Sequence, residues 1–140
     1  MTSMQAAPYP PGARNLIPQL ILLAAGGLYV MIGLKFALSP SDANPAIAVT
    51  AAVGRTDLRA GLGGFPLGVA AALLFCLVTR RTANGLAIAL GVTATVLLVR
   101  LIGAGRDDTI LASARLLSAE SVVVVLSGLG LALVRRRAAD

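Results

Sequence analysis

Histidine and tryptophan are absent from the sequence, cysteine occurs once, and only 13% of the 140 residues are charged. The missing histidine removes the usual zinc ligand sets, histidine-ligated haem and a Cys–His nucleophile pair. A single cysteine excludes an intrachain disulfide. Cys76 lies within the apolar run L-L-F-C-L-V and reads as a small buried hydrophobe. Aromatic residues make up 4% of the chain, and its arginines stand singly or in short clusters at the ends of apolar runs. The net charge of +6 is therefore not a stacking, basic surface, and a nucleic-acid partner is set aside. No metal and no cofactor is expected.

What is abundant is apolar residue. Hydrophobic side chains form 57% of the chain, and the mean hydropathy is +0.87. A soluble domain does not have this balance, and a chain this apolar needs lipid as its solvent. The length suits one domain.

Residues 1–14, with Pro8, Pro10, Pro11 and Gly12, read as a flexible tail. The first apolar run, 15–38, carries Lys35 as its only charge and is too long for a signal-peptide core, so it is expected to remain as an uncleaved membrane helix. A polar connection follows, in which A-I-A-V-T-A-A-V is a candidate short interfacial helix. Further helices are expected at about 58–79, 83–103 and 109–134, with Arg80 and Arg81 in a tight turn and Asp108 capping the last. Each run reaches the roughly 20 residues that cross the hydrocarbon core. The expected fold is all-α, an integral membrane four-helix up-and-down bundle over 15–134, followed by a basic tail at 135–140.

With four crossings, Arg14, Arg80, Arg81, Arg135, Arg136 and Arg137 share one side, with Asp140 as its only acid. On the other side Arg55 and Arg106 mix with Asp42, Asp57, Asp107 and Asp108. The positive-inside rule then places both termini in the cytoplasm. The expected location is the cell membrane, which is the inner membrane in a Gram-negative bacterium.

Small residues recur at helix-packing spacing: Gly64 with Gly68, Gly85 with Ala89, Gly128 with Ala132, and Gly26 with Gly33. Packing within the bundle is the first reading, and homodimerisation through Gly64 and Gly68 the second.

Among the charges that interrupt the apolar runs, one from each is singled out: Lys35, Arg59, Arg100 and Glu120. At about 1.5 Å per residue, Lys35, Arg59 and Arg100 lie about 27, 30 and 26 Å from the cytoplasmic end, and Glu120 about 21 Å. All four thus fall in the outer third of a core about 30 Å thick. Lys35 and Arg59 have stems long enough to snorkel. Glu120 does not, and needs a partner or a proton. Arg100 is its natural partner, Arg59 the next, and Ser113 and Ser127 are candidate hydrogen-bond donors. Three cations against Glu120 and Asp57 leave room for a bound carboxylate, phosphate or lipid headgroup. A purely structural network explains the same residues, and both readings stay open at this point. The segment T-D-L-R-A-G-L-G-G-F-P-L-G adds to the ligand side. Pro66 frees a carbonyl, and a helix N-terminus beside Arg59 is expected to attract an anion.

On G-R-T-D-L-R-A-G-L-G-G at 54–64, Arg100 with Gly103, and Glu120, the chain resembles a family of small bacterial four-helix membrane proteins classed as a domain of unknown function. Leu62 stands where that pattern commonly has an aromatic residue. The resemblance implies the architecture and the choice of residues, and no activity. The functions that remain are a membrane protein binding an anionic small molecule or lipid at Arg59, Arg100, Glu120, Asp57 and Lys35, or an accessory or assembly subunit of a larger membrane complex. An intramembrane enzyme using Glu120 as acid or base is weaker, because no nucleophile or metal set accompanies it. A transporter is weaker too, because the halves show no inverted repeat.

Overall fold

The computed structural model describes residues 16–39, 52–107 and 109–139. Its first helix, α1, spans Leu16–Leu38. The second, α2, runs without a break through Ala52–Leu58, a π-helical segment Arg59–Gly64, and Phe65–Val78. The third, α3, spans Thr82–Arg106, and the fourth, α4, spans Ile110–Ala139. All four contain stretches long and apolar enough to cross a membrane. Much of their apolar surface faces outward, with Val78 82% and Leu111 92% exposed. A water-soluble bundle would hide such side chains, so the chain has the character of a multi-pass membrane protein.

Three helix boundaries differ from the hydropathy reading. The second helix starts at Ala52, not near residue 58, and the third continues through Arg106. The fourth does not stop at residue 134 but carries the R-R-R run to Ala139. Arginine is a good helix former, so the helix outlasts the apolar run that marks it in the sequence. The N-terminal tail, the candidate interfacial helix up to residue 51, and Asp108 lie outside the described residues. Thr109 takes the cap position of α4, where its carbonyl accepts the Ser113 N–H at 2.9 Å.

The turn between α2 and α3 is as tight as expected. Arg81 N–H donates to Cys76 O at 2.7 Å and Arg80 N–H to Leu77 O at 3.1 Å. Arg80 adopts φ 58°, the left-handed position usually given to glycine after a helix. Its positive charge there complements the negative end of the α2 dipole.

Packing is organised by glycines, among them Gly26, Gly33 and Gly85 of the pairs singled out from the sequence, but not Gly64 with Gly68. Gly33 and Gly63 bring α1 and α2 together: a Cβ on Gly63 would lie 2.7 Å from Ala37 N, and one on Gly33 2.7 Å from Leu67 Cγ. Gly85 of α3 takes the Leu22 side chain, and Gly130 of α4 takes Leu86 and Ile21. Around these contacts Leu22, Ala25, Val69, Leu73, Cys76, Leu86 and Ala89 form the core. Gly64 and Gly68 are exposed, and a Cβ on Gly68 would meet nothing within 4 Å. The expectation that this GxxxG packs within the bundle is therefore corrected. The neighbouring Gly63 makes the close approach, and Gly64 and Gly68 turn away from it.

The partner contacts fix the relative levels of the helices. Gly26 with Leu74 and Gly33 with Leu67 make α1 and α2 antiparallel. Leu22 with Gly85 and Tyr29 with Thr93 make α1 and α3 parallel. Leu86 with Gly130 and Arg100 with Glu120 make α3 and α4 antiparallel, completing the up-and-down arrangement.

Candidate functional site

Near one end of the bundle, Arg100 of α3 and Glu120 of α4 form an ion pair. Arg100 Nε lies 3.0 Å from both carboxylate oxygens, and Nη2 lies 2.8 Å from Oε1. The side chains are 35% and 17% exposed, so the carboxylate is the more enclosed partner. Local sequence explains the meeting. Leu86, Ala89, Thr93 and Arg100 lie on one stripe of α3, and Glu120, Ser127 and Gly130 on one stripe of α4. The pairing is the one expected from the short stem of Glu120.

The other expected site residues are placed differently. Among the described residues, no ion pair or hydrogen bond joins Lys35, Arg59 or Asp57 to this pair, and all three are exposed. Lys35 lies at the level of Arg100 in the register set by Tyr29 and Thr93. Arg59 does not share that level. The α1–α2 register sets Lys35 opposite Phe65. Arg59, six residues earlier on α2, is then about 9 Å farther toward the helix end, and Asp57 farther still. Depth counted along single helices missed this because it took no account of how α2 slides past α1.

The irregular backbone expected around Pro66 is present, in another form. Phe65 N–H donates to Ala60 O, a bond one residue longer than the α-helical one. The helix passes the proline through this widened turn without breaking. A helix N-terminus beside Arg59, expected as an anion site, is therefore ruled out, because the helix begins at Ala52 and passes through Arg59. Among the described residues, no three His, Cys, Asp or Glu side chains converge.

Two polar features in the interior differ from the sequence reading, which missed the first and misjudged the second. Tyr29 and Thr93 hydroxyls hydrogen-bond at 2.8 Å between α1 and α3. A lone tyrosine inside an apolar run was the available signal, since a buried phenol seeks a partner. Ser127 is fully buried and its hydroxyl has no partner among the described residues. It does not reach Glu120, which corrects the hydrogen bond expected from the sequence, because seven residues are about 10.5 Å of helix. Ser118 and Ser121 instead bond carbonyls of their own helix at 2.9 and 2.8 Å. Ser127→Ala is expected to raise stability by about 1 kcal/mol, since it removes an unpaired buried hydroxyl at little cost in volume. Thermal unfolding in detergent measures this; a clear loss of stability would show that the hydroxyl is satisfied.

An open groove of about 320 Å³ adjoins the ion pair, lined by Thr95, Val96, Val99 and Arg100. The Thr95 hydroxyl donates back to Gly91 O at 2.9 Å, so the groove is apolar up to the guanidinium. No family model matches the sequence, and no curated protein or solved structure shows detectable similarity to it.

Proposed function

We propose that this chain is a multi-pass protein of the cell membrane, with both termini cytoplasmic, that holds an anionic group beside Arg100. The observation that carries this reading is the half-used guanidinium. Arg100 has five N–H donors, and its contacts with Glu120 engage only Nε and one Nη2 hydrogen. The remaining donors lie on a side chain that is 35% exposed, at the head of a groove. Glu120 fixes the guanidinium plane, and Lys35 adds a second cation at the same level. Arg59 and Asp57 belong to the outer rim. The R-R-R run at the end of α4 supports the cytoplasmic orientation. The resemblance to the small bacterial four-helix family rests on the same Arg100 and Glu120, and a bacterial inner membrane is the setting it implies.

The test is native mass spectrometry of the protein gently extracted from its own membrane. The paired variant Arg100→Gln/Glu120→Gln removes both charges and leaves neither orphaned. A retained small mass present in the parent and lost in this variant supports the site. The same mass in both overturns it.

The second reading is an accessory or assembly subunit, with the ion pair serving only the fold. It is favoured by Gly64 and Gly68, whose exposed positions serve no close approach to another helix among the described residues. In the same experiment, a co-extracted protein or second copy that is lost on Gly68→Leu supports this reading. A bare, monodisperse chain counts against it.

A further inference from the structure

We infer that the anionic group held by Arg100 is the headgroup of a phospholipid that lies along the outward flank of α3, an inference that rests on the site proposed above. The flank of α3 carries the argument. Gly85, Val92, Val96 and Val99 form one stripe of that helix, spaced seven, four and three residues apart. At its start Gly85 is buried against Leu22 of α1 and Cys76 of α2. Val92 is part-buried against the core, and at the far end Val99 is 64% exposed. Cover by the neighbouring helices therefore fades along the stripe toward Arg100. Consistent with this, α3 packs closely along α4 and far less on α2, and its contact with the π-helical segment is at most marginal.

The opening that results has one chemistry along its wall and another at its head. Val96, Val99 and the methyl of Thr95 offer an apolar surface, the Thr95 hydroxyl being turned back to its own helix. Arg100 closes the groove with guanidinium donors that Glu120 does not use. From Thr95 to Arg100 is about 7.5 Å along the axis, a stretch that fits the upper part of an acyl chain. A free phosphate would use only the head of this groove. A phospholipid uses both parts, its phosphate oxygens accepting from Arg100 and its chain lying on the valines. Negative charge beyond the phosphate favours an anionic lipid, because Lys35 stands at the same level without an ion-pair partner among the described residues.

The experiment compares dioleoyl phosphatidylglycerol, dioleoyl phosphatidylcholine and soluble sn-glycerol 3-phosphate as titrants of the delipidated protein in detergent, read by native mass spectrometry. The parent chain is set beside Val99→Trp, which fills the groove from an exposed position and leaves the ion pair in place. The expected result is phosphatidylglycerol bound about tenfold tighter than phosphatidylcholine, a ratio of the size one charge-assisted contact supplies. Val99→Trp is expected to weaken phosphatidylglycerol binding about tenfold and to leave glycerol phosphate unaffected. Glycerol phosphate binding as tightly as the lipid, with Val99→Trp without effect, overturns the lipid inference while the anion site stands. If Arg100→Gln/Glu120→Gln changes the affinity of none of the three titrants, the anion site and the lipid inference fall together.

Discussion

Gly63→Ala is expected to destabilise the bundle by about 2–3 kcal/mol, the upper range for forcing extra volume into a packed core. The added methyl would sit 2.7 Å from Ala37 N, 2.9 Å from Ala37 Cα and 3.0 Å from Ala37 Cβ. Two of those atoms are backbone, so no rotamer change relieves the clash and α1 must move away from α2. The same movement would loosen Gly33, which packs against Leu67 and the Gly63 carbonyl. Gly61→Ala is the control within the same π-helical segment, because a methyl there meets nothing within 4 Å. It is expected to be neutral or to stabilise by up to about 1 kcal/mol, through the helix propensity that glycine lacks. Unfolding of both variants in mixed micelles measures the contrast. Equal stabilities would mean that α1 and α2 do not meet at Gly63.

The Gly63 contact also marks where the sequence stopped being informative. Apolar runs of 20 residues are a property of whole segments, so four spanning helices could be read without knowing how they meet. Their ends could not, because helix formers such as Arg135 and Arg136 continue a helix beyond its apolar part. The pairing of Glu120 with Arg100 followed from chemistry alone, since a short acidic side chain on an inner face demands a cation. The place of Arg59 did not follow, because it depends on the register between α1 and α2. Close contacts at Gly26, Gly33 and Gly63 set that register, and spacing within one helix does not encode which glycine faces which neighbour. For the same reason Gly64 and Gly68 gave the right motif on the wrong face. The widened turn before Pro66 shows a third kind of gap. A proline predicts a disturbed helix, but whether the chain breaks or adds a π-turn depends on what packs beside it.

The ion pair carries the second large effect. Arg100→Ala is expected to cost about 2–3 kcal/mol, less than the 3–5 kcal/mol of a fully buried pair because a third of the arginine is already exposed. The loss arises from Glu120, which is left as an enclosed carboxylate with a stem too short to reach the bundle end. Glu120→Ala is expected to cost only about 1–2 kcal/mol, since Arg100 can extend outward once released. The double variant should then be less damaging than the sum of the two, with a coupling of about 1–2 kcal/mol between residues in direct contact. Unfolding free energies of the parent, both single variants and the double variant give this cycle. Additive losses would mean that the two side chains do not act together. A larger loss at Glu120 than at Arg100 would place the enclosed charge on the arginine and remove the exposed guanidinium edge on which the anion site depends. The predicted asymmetry, with Arg100→Ala the worse, is what a scaffold requires if one residue fixes a cation and leaves part of it open to a ligand.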